Sequence, residues 1–115
     1  MIRVLIIDDH SAIRTGLEAA LKHSPDVVPV GAGSDELELW PLFKRTAPDL
    51  VLLDYHLPGQ DGFILCHRLK NTTLPPRVII YSGYADALHI PLDEAATRVR
   101  RIIGRLRVQV PTSVR

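Results

Sequence analysis

Two stretches of the chain are unbroken apolar runs, Val4–Ile7 and Leu50–Leu53. A run without alternation suits a strand buried on both faces, as in a parallel sheet covered by helices. Arg77–Ser82 reads as another such strand, ending in a hydroxyl at Ser82. Val27–Val30 is a shorter β-rich piece, and Pro29 marks it as an edge strand. Helical spacing fills the intervals. Ser11 is placed to cap a helix carrying Ile13, Leu17, Ala20 and Leu21. Ser34 is placed to cap a second, with Asp35 and Glu36 in its first turn and Leu39, Leu42 and Phe43 on its apolar face. Pro41 is expected to kink or delay that helix. Phe63–Lys70 forms a third, with Leu65 and Leu69 one turn apart. Alternation of strand and helix with short connections predicts an α/β fold, a doubly wound parallel sheet with right-handed crossovers.

The last third departs from this rhythm. Leu92–Leu106 is a helix, with Val99, Ile102, Ile103 and Leu106 spaced to make one stripe. Only Gly83–Ile90 separates it from the strand before. A parallel crossover needs a dozen or more residues, so no fifth strand fits between them. Arg98, Arg100, Arg101, Arg105 and Arg107 are read as the solvated or partner-facing side of this helix.

Composition narrows the class. The 115 residues suffice for one domain with a single core. A formal net charge of +1 offers no global electrostatic case for binding nucleic acid or a membrane. The single cysteine, Cys66, excludes a disulfide framework and is expected to be a small buried hydrophobe in a reducing compartment. No apolar run is long enough to span a bilayer, and Met1-Ile2-Arg3-Val4 enters a strand without a signal peptide, so the expected location is cytoplasmic.

The candidate chemistry lies where the strands end. Leu50–Leu53 runs into Asp54, then into the turn signals Pro58-Gly59 and Asp61-Gly62; Val4–Ile7 runs into Asp8 and Asp9. Open α/β sheets bind ligands at the carboxyl ends of their strands. In a flavodoxin-like order, 2-1-3-4-5, the first and third strands are neighbours, so Asp8, Asp9 and Asp54 converge there with Ser82 at the same edge. Clustered carboxylates need a counter-ion, and oxygen donors select a hard cation such as Mg²⁺. A carboxylate beside Mg²⁺ can act as a nucleophile toward phosphorus. Taken singly, Asp8 or Asp9 reads as a cap or a solvated turn residue; the set of four does not.

Leu-Ile-Ile-Asp-Asp-His, Leu-Leu-Asp-Tyr-His-Leu-Pro-Gly-Gln-Asp-Gly and Ile-Ile-Tyr-Ser-Gly-Tyr resemble a bacterial two-component response-regulator receiver domain. His10, after the acid pair, resembles the subgroup with a helix-turn-helix output domain. The resemblance covers Met1 to about Ala87. It implies that Asp54 accepts a phosphoryl group from a sensor histidine kinase. It also implies that Asp9 ligates Mg²⁺, that Asp8 is a ligand or a water-mediated neighbour, and that the backbone carbonyl of His56 is the third protein ligand. Ser82 follows the phosphoryl group and acts as the switch. The expected partners are the kinase, a second copy in a homodimer and an output domain, with no direct nucleic-acid contact and no membrane. Residues 1–108 are assigned to the receiver and 109–115 to the start of a linker. The protein is expected not to be an enzyme beyond phosphoryl transfer to itself and its own dephosphorylation.

Receiver domains also carry a lysine and an aromatic switch residue on a fifth strand, and here both are missing. Lys22, Lys44 and Lys70 lie on or after earlier helices, and Leu88 stands three residues before Pro91, where the lysine is expected. Two explanations stand. A segment holding the fifth strand is missing from the sequence as written, or the deletion is genuine. The first is favoured, and it predicts consecutive residues between Leu88 and Leu92 with Cα atoms much further apart than ~3.8 Å. The rival function is a pseudo-receiver, a phosphorylation-independent interaction module. A Mg²⁺-dependent phosphatase ranks last, since neither Tyr55 nor His56 supplies a second aspartate as general acid.

Overall fold

The computed structural model describes residues 1–81 and 92–109. Its elements run β1 (Ile2–Ile7), α1 (Ser11–Lys22), β2 (Val27–Gly33), α2 (Glu36–Thr46), β3 (Leu50–Asp54), β4 (His56–Leu57), β5 (Gln60–Asp61), α3 (Gly62–Lys70), β6 (Arg77–Tyr81) and α4 (Leu92–Gln109). Four strands form one parallel sheet in the order β2-β1-β3-β6, the first four places of the flavodoxin-like order. Among the described residues the sheet ends at β6. The expected break between Leu88 and Leu92 and the expected switch residue Ser82 lie outside the described residues.

The period-two geometry of a strand splits its side chains between two layers. Val4, Ile6, Leu50, Leu52, Ile79 and Tyr81 face α1 and α4, in one cluster with Ile13, Leu17, Leu21, Val99, Ile102 and Leu106. Leu5, Ile7, Val51 and Leu53 face α2 and α3, with Leu39, Leu65 and Leu69. Both faces of β1 and β3 are covered, which is why their sequences are apolar without alternation. The stripe on α4 docks as its spacing predicts, and Arg100, Arg101, Arg105 and Arg107 remain exposed. Cys66 is half-buried against the second layer rather than fully enclosed.

Several local expectations shift. Strand β2 runs on to Gly33, because Gly31, Ala32 and Gly33 pair with Leu5, Ile6 and Ile7 after a register slip beside Pro29. It is an edge strand, where a missing N–H is tolerated. Helix α2 continues through Pro41. Its cap is Asp35, which accepts from the Glu38 N–H at 3.0 Å. Ser34 instead donates its N–H and its hydroxyl to Glu38 Oε1, both at 2.6 Å, so the cap sits one residue later than expected. Ser11 is the first residue of α1 rather than its cap. His10 holds the cap position without a side-chain capping bond, because its ring is engaged elsewhere. Pro58-Gly59 turns a short antiparallel hairpin between β4 and β5, with Gly59 at φ 71°, the conformation a type II turn requires at that place.

Candidate functional site

The site forms where β1 and β3 end side by side. Ile7 pairs with Leu53, so the next residues, Asp8 and Asp54, stand at the same level at the carboxyl edge of the sheet. Asp8 and Asp54 are both buried, at 1% and 0% exposure, while Asp9 is exposed. Asp8, Asp9, His10 and Asp54 each offer a ligand atom within 4.8 Å of the others. The convergence expected of Asp8, Asp9 and Asp54 is therefore present in the geometry.

His10 was not anticipated as a member. Its Nδ1 stands 2.9 Å from Asp8 Oδ1, 3.1 Å from Asp9 Oδ1 and 3.7 Å from Asp54 Oδ2. The imidazole thus sits among three carboxylates whose mutual repulsion needs an offsetting donor. Its backbone N–H also donates to Asp8 Oδ1 at 2.8 Å. Arg14, one turn into α1, donates from Nη1 to the Asp8 carbonyl at 2.6 Å and so ties the helix to the strand end.

Tyr81 is the second unanticipated member. Its position in an apolar strand favours packing over a role as a switch aromatic, and the ring does lie in the core. Its hydroxyl, however, donates to Asp8 Oδ2 at 2.7 Å. Burial, reinforced by the Asp8 charge, pushes this hydroxyl well above the usual tyrosine range, so it stays a neutral donor. A sequence reading could have found it only by placing the end of β6 two strands from β1, within reach of a long phenol.

Around Asp54 the loop closes locally. The His56 N–H donates to Asp54 Oδ1 at 3.1 Å, and the Tyr55 N–H donates to the Tyr81 carbonyl at 2.8 Å. His56 is thus held beside Asp54 through its backbone N–H. Lysines are absent from this edge. Lys22, Lys44 and Lys70 lie in the last turns of α1, α2 and α3, each of which returns the chain to the opposite edge of the sheet. Lys70 donates to the Pro76 carbonyl there at 2.9 Å. The three carboxylates on adjoining strand ends are hard oxygen donors and fit a small hard divalent cation, whereas the imidazole is a softer nitrogen donor outside that set.

The family model of the response regulator receiver domain matches residues 4–96, and the chain belongs to that family. It is 36% identical over 86 residues to the transcriptional regulatory protein LiaR of Bacillus subtilis, covering 75% of this chain and 41% of that protein. It is 34% identical over 79 residues to the nitrate/nitrite response regulator NarL of Escherichia coli K12, covering 69% of this chain and 37% of the relative. The chain thus matches about two fifths of the length of these curated relatives. The receiver-domain structure of the NarL regulator from Mycobacterium tuberculosis superposes with a TM-score of 0.65 at 30% identity, over 90% of this chain and 98% of that one. This is a receiver domain of the two-component class, similar to those of NarL- and LiaR-type regulators.

Proposed function

We propose that this receiver is switched by phosphorylation of Asp54, with Mg²⁺ bound beside it. The observation that carries the reading is the fully buried Asp54 at the end of a central strand, with ligand atoms of Asp8 and Asp9 within 4.8 Å of its own. A carboxylate is costly to bury, and a chain keeps such a cluster where the charge has a task. Asp9, Asp54 and the His56 carbonyl would hold the cation directly, and Asp8 directly or through water. Bound there, Mg²⁺ supplies positive charge to the phosphoryl oxygens and to the acceptor carboxylate. An Asp54 oxygen attacks phosphorus, an O–P bond forms, and the P–N bond to a histidine of the sensor kinase breaks, its electron pair leaving with the imidazole. Ser82 donates a hydrogen bond to a phosphoryl oxygen and carries the change to the surface.

The consequence is a population shift between two receiver conformations, read by a homodimer partner or by an output domain reached through residues 109–115. Residues 1–108 act as the receiver. Transcription regulation fits, since LiaR is a transcriptional regulator and NarL a response regulator. Any DNA contact falls to the output domain, and the cell compartment is the cytoplasm. Among the described residues, no helix is long and apolar enough to cross a membrane. The chemistry is directed at the protein itself, so it is not an enzyme acting on a separate substrate.

Intact mass spectrometry before and after acetyl phosphate with Mg²⁺ tests this, beside Asp54→Asn. A gain of one phosphoryl group, absent in the variant, is expected. No gain in a folded sample favours the pseudo-receiver, whose supporting observation is that all three lysines lie at the edge opposite the carboxylates.

A further inference from the structure

Asp8 is held from two directions. Oδ1 accepts from the His10 backbone N–H and lies 2.9 Å from His10 Nδ1. Oδ2 accepts from the Tyr81 hydroxyl at 2.7 Å. The two holds differ in origin. His10 follows Asp8 by two residues and moves with it, whereas Tyr81 comes from β6, with β3 lying between that strand and β1. Tyr81 is 6% exposed, and its ring is fixed in the core cluster with Val4, Ile6, Leu50, Leu52 and Ile79. In register it faces Asp54 on the neighbouring strand. Its backbone is thus tied to the acceptor strand, and its hydroxyl to the acid of the other strand.

We infer that Tyr81 is a positioning residue for the cation site, presetting the Asp8 carboxylate through its buried hydroxyl. The inference rests on the proposed Mg²⁺ site and assigns that site a residue outside the carboxylate cluster. The physical reason is preorganisation. A phenol donor fixes a carboxylate's orientation without bringing a positive charge to the site. A lysine or arginine there would hold Asp8 equally well but would repel the incoming ion. Without the hydroxyl, Asp8 Oδ2 loses a donor in a buried setting, and the carboxylate turns to find another. Groups that orient a ligand in this way typically contribute about 10–100-fold to metal affinity.

The test is a calorimetric Mg²⁺ titration of the wild type, Tyr81→Phe, Asp8→Asn and the double variant, with thermal unfolding of each in the absence of metal. Phenylalanine keeps the ring in the core and removes only the donor. Tyr81→Phe is expected to weaken Mg²⁺ binding by roughly 10-fold or more. In the Asp8→Asn background the same change is expected to have no further effect on affinity, because the group through which it acts is gone. A purely structural tyrosine would lower the unfolding temperature and leave the Mg²⁺ affinity alike in both backgrounds. Equal affinity of the wild type and Tyr81→Phe overturns the inference, as does an equal loss with and without the Asp8 carboxylate. A wild type that binds no Mg²⁺ overturns the proposed cation site and the inference with it, so the two failures are distinguishable.

Discussion

Val99 on α4 presses against Gly16 on α1: a Cβ added at Gly16 would stand 2.8 Å from Val99 Cγ2. This contact seats the last helix against the first, over the layer built on Val4, Ile6, Leu50 and Leu52. Glycine inside a helix ordinarily costs about 1 kcal/mol relative to alanine. Here the missing Cβ is what lets the helices approach. Valine is stiff at χ1 and cannot simply swing aside. Gly16→Ala is therefore expected to destabilise the domain by roughly 1–2 kcal/mol despite its better propensity. Combination with Val99→Ala is expected to cost less than the sum of the two single changes. Urea unfolding of the four proteins measures this coupling, and strict additivity would refute the contact as its source.

At the other end of the fold, Ala47 caps α2 with φ 45°, in the left-handed region, its N–H bonded to the Phe43 carbonyl at 3.0 Å. A residue with a Cβ is strained there, and glycine is not. Ala47→Gly is expected to raise stability by roughly 0.5–1 kcal/mol, seen as a higher urea midpoint with an unchanged slope. A lower midpoint would contradict the assignment.

Glu36 gathers Gln60 and Trp40 as donors, at 2.8 and 3.2 Å, and pairs with Arg68. The Gln60 hydrogen bond first, then that of Trp40, with Arg68 adding to them, holds its carboxyl below the usual glutamate value of 4.5. Because the folded value is depressed, the stabilisation is present above about pH 4.5 and is lost as pH falls through the folded value. Trp40 is the only tryptophan, so its fluorescence reports the loosening of α2 from the β4–β5 turn. An acid transition in that signal is expected in the wild type and not in Glu36→Gln. The same transition in both would assign it to another group.

The clustered acids predict a linkage to metal. A cation that binds the folded domain and not the unfolded chain stabilises it by RT ln(1 + [L]/Kd), about 2.7 kcal/mol at a hundredfold excess over Kd. Raising Mg²⁺ is expected to raise the unfolding temperature of the wild type and to have a smaller effect on Asp54→Asn. A rise of the same size with Na⁺ at equal ionic strength would reduce the effect to screening.

The chain by itself determined the central strands, the layer order and the three acids at the sheet edge. Val4–Ile7 and Leu50–Leu53 admit burial only on two sides, and a parallel sheet follows, carrying Asp8, Asp9 and Asp54 to one edge. Elsewhere local signals were too weak or too general. The Gly31-Ala32-Gly33 end of β2 has no strand propensity, and only pairing with β1 recruits it. Pro41 carries a strong breaking preference, yet α2 passes through it with Leu39 buried and Leu42 and Phe43 partly buried. Tertiary structure alone decided the roles of His10 and Tyr81. A histidine after two aspartates and a tyrosine in an apolar strand each have an ordinary local reading. Their contacts with Asp8 exist because a helix start turns one ring inward and because β3 spaces β6 to suit the length of a phenol. Distances between strands are set by the packed sheet, and no pattern of residues along the chain encodes them.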